Sequence, residues 1–152
     1  MSFLHKMTGK MDRWKLGLLC FIVIYVICLS FNLAYKSIMW DEGEHFVGGL
    51  LMSRGQVERW IWTNSFYPPV FDLITGAFFI IGGGASVFAG RFVAVTFSAL
   101  TILVIYAIAK RMYGSKTALL SAIFFGVMPG VVWASRMAMI ETLLMFIFAG
   151  SM

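Results

Sequence analysis

Charge is scarce in this chain. Of its 152 residues, 12% are Asp, Glu, Lys or Arg and 61% are apolar, whereas soluble domains carry about 25% charged residues. No core of this size hides so much apolar surface, so a water-soluble globular domain is excluded. Histidine is nearly absent, with His5 and His45 as the two copies, which excludes a histidine-rich metal site within the chain. Both cysteines, Cys20 and Cys28, lie in the first apolar run, where they act as small hydrophobes and form no disulfide framework. The three glycines Gly82-Gly83-Gly84 lack a following Lys-Ser/Thr and so are not a phosphate loop. A formal net charge of +5 raises nucleic acid as a partner. The bases are separated by long apolar runs and form no continuous stripe, which excludes it.

Lipid-compatible sequence is what the chain has in abundance. Residues 16–35 read LGLLCFIVIYVICLSFNLAY, free of charge, and at about 1.5 Å per residue they cover roughly the 30 Å of a hydrocarbon core. The run exceeds a signal peptide's apolar region and has no small-x-small cleavage site, so it is expected to be a retained anchor. With its flank it is assigned as a span over 16–38. A second span is expected over 87–109, with Arg91 in its first turn reaching back to the interface. A third is expected over 117–134, where Pro129 kinks it or marks its outer end. Residues 141–152 begin a fourth run too short to cross. The apolar part of 68–84 is also too short and ends in glycines, so this piece is expected to lie on or dip into the membrane.

Charge orients the spans. With 68–84 not crossing, Lys6, Lys10, Arg13, Lys15, Lys110, Arg111 and Lys116 face Asp12 on one side, a net +6. Lys36, Arg54, Arg59, Arg91 and Arg136 face Asp41, Glu42, Glu44, Glu58, Asp72 and Glu141 on the other, a net −1. The positive side is expected to be cytoplasmic. The expected organisation is a cytoplasmic basic tail (1–15), the first span (16–38), an external loop with juxtamembrane helices (39–86) and the second span (87–109). A cytoplasmic loop (110–116), the third span (117–134), an external turn (135–140) and the start of a fourth span (141–152) follow. The fold class is therefore an all-α integral membrane protein of about three to four transmembrane helices plus external juxtamembrane helices.

Six of the seven carboxylates fall on the external side, which is where chemistry is sought. Met39-Trp40-Asp41-Glu42-Gly43-Glu44-His45 sets three carboxylates and an imidazole within five residues. On a helix, His45 shares a face with Asp41 or with Glu42. Asp41 and Glu44 also have the spacing of a capping box, for a helix running to about Arg54 and stopped by Gly55. Capping leaves Glu42 unexplained. Adjacent carboxylates repel, and repulsion with desolvation raises one pKa toward general-base range. Asp41, Glu42 and His45 are also the ligands available for a divalent metal, as a mixed carboxylate–imidazole site. Arg54, Arg59, Trp60 and Trp62 read as an amphipathic interfacial helix whose arginines meet water or a lipid phosphate. Arg136 and Glu141 bracket the entry to the fourth run, with Glu141 in a first turn where the positive helix end favours a carboxylate.

The order of these pieces resembles a known family. Trp40-Asp41-Glu42-Gly43 after a span, Arg54-Gly55, Tyr67-Pro68-Pro69, Gly90-Arg91-Phe92 opening a span and Lys110-Arg111-Met112-Tyr113-Gly114 closing it are in family order. Pro129 and Arg136-Met137-Ala138-Met139-Ile140-Glu141 complete the pattern. Together they resemble the N-terminal part of the GT-C polyprenyl-phosphate-sugar-dependent glycosyltransferases, in the protein O-mannosyltransferase and aminoarabinose-transferase group. The resemblance implies a sugar donor on undecaprenyl or dolichyl phosphate and an acceptor protein, lipid or glycan. It also implies a plasma-membrane location, or the ER membrane in a eukaryote, with the active face external. It makes Asp41 the catalytic carboxylate, with Glu42 beside it and Glu141 as a second acid. Arg54, Arg59, Arg136 and His45 are the candidates for binding substrate or lipid phosphate, and no cofactor beyond a divalent metal is implied. Members of that group are several times longer, so the chain is expected to be the N-terminal portion of a GT-C bundle, inactive alone. The contrasting expectation is a small noncatalytic membrane subunit whose acidic motif only caps a helix.

The topology is testable by labelling. In a variant lacking Cys20 and Cys28, a cysteine at Ser65 should react with an impermeant maleimide from outside, and one at Ser115 should not. Labelling at Ser115 instead reverses the assignment.

Overall fold

The computed structural model describes residues 13–64 and 66–152. The basic tail up to residue 12, with His5, Lys6, Lys10 and Asp12, lies outside the described residues, as does Ser65. The described residues form eight α-helices and no strand, an all-helical fold of the class the composition requires. Two helices are long and apolar enough to cross a membrane, α1 (Arg13–Ser30) and α5 (Val87–Tyr113). A third crossing is available if α6 (Ser115–Val127) and α7 (Pro129–Ser135), bent by 64° at their junction, count as one.

Several boundaries differ from those expected. The first helix stops at Ser30, and residues 31–36 turn before the chain becomes extended, so 16–38 is not one helix. Asn32 takes a positive φ of 51°, and two arginines described below hold the carbonyls beyond the break. The second long helix runs to Tyr113, beyond 109, and the loop expected over 110–116 shrinks to Gly114. At φ +86° that glycine adopts a backbone that side chains disfavour and reverses the chain at once. Lys110 and Arg111 sit in the last turn of α5, where cations complement the helix dipole. Pro129 occupies the first turn of α7, a position that needs no backbone N–H and that ends α6.

Two hydrophobic clusters order the bundle. Leu18, Tyr25 and Leu29 of α1 pack with Val95, Ile102 and Tyr106 of α5 and with Ala118 and Ala122 of α6. Small residues let these helices approach, and Gly126 of α6 lies against Phe21 and Ile102. Within this cluster Tyr25 Oη bonds Ser98 Oγ at 2.6 Å and Ser135 Oγ at 3.2 Å, joining α1, α5 and α7 through groups that lipid does not satisfy. The second cluster joins Phe71 of α4 (Pro69–Ile81), Val93 of α5 and Leu143 of α8 (Glu141–Gly150).

Residues 40–81 make a helical subassembly, α2 (Trp40–Ser53), α3 (Val57–Asn64) and α4. Glycines hold α2 against α4. A Cβ on Gly49 would meet Thr75 Cγ2 at 2.6 Å, and one on Gly76 would meet the backbone of Gly49 and Ser53 at 2.9 and 3.0 Å. Gly76→Ala therefore has no flexible neighbour to displace and should cost about 1–3 kcal/mol of overpacking. Gly130, with open space where a Cβ would stand, should accept Ala with little change. Thermal unfolding of the detergent-solubilised protein distinguishes the two; equal midpoints would refute close α2–α4 packing.

Candidate functional site

The N-terminal end of α2 is built around one buried ion pair. Glu42 is 0% exposed and Arg91, from the first turns of α5, is 2% exposed. The guanidinium donates from Nε to Oε1 at 2.6 Å and from Nη2 to Oε2 at 2.8 Å, the bidentate geometry that arginine supplies and lysine does not. Arg91 spends its remaining capacity on backbone carbonyls, those of Leu33 at 2.7 Å, Lys36 at 3.2 Å and Ser37 at 3.1 Å. The carboxylate also accepts the Ala138 N–H at 2.9 Å and the Met39 N–H at 3.3 Å. One side chain thus joins α2 to α5 and to the turn before α8. Burial pushes the Glu42 carboxyl up. The Arg91 hydrogen bonds, the Ala138 N–H, the guanidinium charge and the Met39 N–H outweigh that and hold it below its ordinary value of 4.5.

Three expectations are corrected by this pair. Glu42 is not pushed toward general-base range by Asp41, because its nearest charge is a guanidinium. Arg91 does not reach back to the interface; the desolvated carboxylate and the carbonyl ladder draw it inward. The helix starts at Trp40 with Met39 as N-cap and Glu42 three residues into it. Asp41 and Glu44 are therefore not the capping pair, and Glu42 takes that role toward Met39. At the other end α2 gives way to Arg54 and a positive-φ Gly55, as the sequence implies.

A second buried network closes the back of α2. His45 Nδ1 and Asp72 Oδ1 are 2.8 Å apart, and Trp60 Nε1 donates to Asp72 Oδ2 at 2.7 Å. Asn64 Nδ2 donates to the Glu44 carbonyl at 2.6 Å, and the His45 ring packs edge-on to Phe71. His45, Trp60, Asn64 and Asp72 are all buried, so α2, α3 and α4 are locked by a polar core. Trp60 therefore turns away from the interfacial role expected of it, because its N–H finds a carboxylate. Glu42 is committed to Arg91 and His45 to Asp72, so Asp41, Glu42 and His45 do not assemble as metal ligands. Among the described residues no three His, Cys, Asp or Glu side chains come together as a metal site.

What remains open lies beside the ion pair. A cavity of about 810 Å³ is lined by Tyr35, Lys36, Ser37, Arg91, Trp133 and Arg136, with aliphatic neighbours. Arg136 donates to the Leu29 carbonyl at 2.9 Å and the Phe31 carbonyl at 3.0 Å, capping α1 as a base near a helix C-terminus does. Its Nε has no partner among the described residues, nor does the exposed Lys36 amine. Asp41 is exposed, one residue before Glu42. Arg54 lies at the far end of α2, about 20 Å from Asp41 along the axis, and Arg59 is exposed on α3. Neither lines this cavity. Glu141, exposed in the first turn of α8, lines a separate apolar groove with Thr101 and Leu144. The sequence reading missed Asp72 and Arg91 as structural partners. The signal available was a lone ionisable group inside each apolar run, which lipid tolerates only when it is paired.

A family model described as dolichyl-phosphate-mannose-protein mannosyltransferase matches residues 67–152, more than half of the chain. The matched region holds Asp72, Arg91, Arg136 and Glu141; Asp41 and Glu42 lie before it and are tied to it by Arg91. No curated protein and no solved structure matches the chain.

Breaking the pair should be severe. Glu42→Gln and Arg91→Met should each cost about 3–5 kcal/mol, the penalty of leaving a buried charge without its partner. Because the folded pKa of Glu42 is depressed, its contribution is complete above pH 4.5 and is lost as pH falls below that value. Melting midpoints measured from pH 7 to pH 3 should fall in acid for the wild type and less so for Glu42→Gln. Parallel curves would show that the pair does not support the fold.

Proposed function

The chain belongs to the dolichyl-phosphate-mannose-protein mannosyltransferase family, and from that premise we propose that it forms the base-carrying part of a membrane sugar transferase. The reaction moves a sugar, mannose by the family description, from a polyprenyl or dolichyl phosphate to an acceptor hydroxyl on the external face. The observation that carries the reading is the buried Glu42–Arg91 pair. It anchors the start of α2, where Asp41 is exposed and follows by two residues Met39, which lines the basic cavity.

The roles follow from which groups are already occupied. Asp41 makes no side-chain hydrogen bond among the described residues, and it is the carboxylate available to take the acceptor's proton. As the proton leaves, the acceptor oxygen attacks the anomeric carbon, the bond from that carbon to the phosphate oxygen breaks, and the lipid phosphate departs with the bonding electrons. Attack from the face opposite the leaving group inverts the configuration. Charge grows on the departing phosphate, and Lys36 Nζ with Arg136 Nε supplies cations there. Arg91 has no donor left for a substrate and acts as a positioning residue. His45 is sealed by Asp72, Tyr67 and Phe71 and holds α2 in place. Arg54 and Arg59 are assigned to the membrane surface.

Asp41→Asn tests the assignment because it keeps the size and removes the proton acceptor. In the intact membrane-embedded enzyme the variant should insert normally and lose about 10²- to 10⁴-fold in turnover, the range typical of a general base. Transfer at the wild-type rate would end the catalytic role of Asp41.

A further inference from the structure

The outer face of α2 carries a groove that neither the packing nor the mechanism uses. The helix is two-sided: Glu42, His45, Gly48 and Gly49 are buried, whereas Trp40, Gly43, Glu44 and Val47 recur at i, i+3, i+4 and i+7 and line an open groove. Thr63 and Asn64 at the end of α3 form the opposite wall, and the enclosed space is about 600 Å³. Trp40 is 85% exposed, and Val47 is also exposed. Asn64 fixes the wall by donating to the Glu44 carbonyl, yet the Glu44 carboxylate has no hydrogen bond or ion pair among the described residues.

This groove and the basic cavity meet at α2's start. Met39 lines both, and Asp41 follows two residues later. Their charges are opposite. The cavity offers Lys36 and Arg136, while the lining of the groove contains Glu44 and no base. Inverting transfer brings its two substrates to opposite sides of one carbon, so two openings of opposite charge that share Met39, two residues before an exposed carboxylate, match an anionic donor and a cationic acceptor. The stripe from Trp40 to Val47 is about 10 Å long, the length of about three residues of extended chain at roughly 3.3 Å each.

We infer that the groove is the acceptor subsite and takes an extended polypeptide segment with Lys or Arg beside the accepting Ser or Thr. Glu44 pairs with the cation, and the Trp40 ring covers it. The inference rests on the transferase reading and adds the chemistry of the acceptor to it.

The test uses the intact membrane-embedded enzyme, a polyprenyl-phosphate-mannose donor and synthetic peptides that differ only in having Lys, Gln or Glu beside one serine. Wild-type kcat/KM should fall in the order Lys, Gln, Glu, by about threefold to tenfold overall, as expected for a partly exposed charge pair. Glu44→Lys should reverse the order and leave the donor KM unchanged. Trp40→Ala, at an exposed position that does not threaten folding, should raise the KM of the Lys peptide most. An unchanged order in Glu44→Lys overturns the inference, as does an effect confined to the donor KM. It is likewise overturned if Trp40→Ala alters only membrane association, which would make the groove a lipid contact. Active transfer that ignores peptide charge overturns the subsite and leaves the transferase reading intact. An enzyme that modifies none of the peptides overturns the polypeptide acceptor itself.

Discussion

A carboxylate and a guanidinium, both out of reach of solvent, hold the α2–α4 subassembly of this protein to its longest helix. Glu42 comes from α2, whose other polar side-chain contacts run to α3 and α4, and Arg91 comes from the first turns of the longest helix. Neither charge is tolerable alone in such surroundings, so each enforces the position of the other. The Ala138 and Met39 N–H groups complete the carboxylate's shell. The result is a fixed register between α2, α5 and the turn before α8. Everything proposed for Asp41 depends on this register, because a base works only when its oxygen is held within hydrogen-bond reach of the proton it takes.

The same economy governs the segment between α1 and α2. A helix that breaks at Ser30 leaves carbonyls exposed near the membrane, and two arginines collect them. Arg136 takes those of Leu29 and Phe31, and Arg91 takes those of Leu33, Lys36 and Ser37. Irregular backbone within a bilayer survives only when protein groups satisfy it. The arrangement also shapes the basic cavity, since the arginines that tie the linker line its wall. Lys36, carried on that linker, faces the same space. The groups that face the cavity differ in how far the scaffold uses them: Arg91 is wholly occupied, the Lys36 amine has no partner among the described residues, and Arg136 gives Nη1 and Nη2 to the linker and leaves Nε free.

The chain's own residues were informative in proportion to how local each feature was. Apolar run length is a local property, and it located α1 and α5. Pro129 marked a real bend and Gly55 a real stop, because each limits its own backbone. The charge of a side chain was legible, but its partner was not. Asp72 read as one of the carboxylates in the charge balance, and it is the acceptor for His45 and Trp60, from 27 and 12 residues away. Arg91 read as a base reaching for the interface, and it meets a carboxylate 49 residues earlier. The capping box was misplaced by two residues for the same reason, since Glu42 is held in its capping position by contacts from α5 and residue 138.

By itself, the sequence determined that this protein lives in a bilayer, that it is helical, and that its carboxylates gather near the start of α2. Those conclusions need only composition, periodicity and the cost of placing charge in hydrocarbon. Tertiary structure alone decided which of those carboxylates is spent and which is free. Glu42 and Asp41 are neighbours of the same chemistry, and nothing local separates them. They differ because one helix face turns toward Arg91 and the adjacent residue does not, an outcome set by how α2 packs on α4 and α5 rather than by either residue's identity.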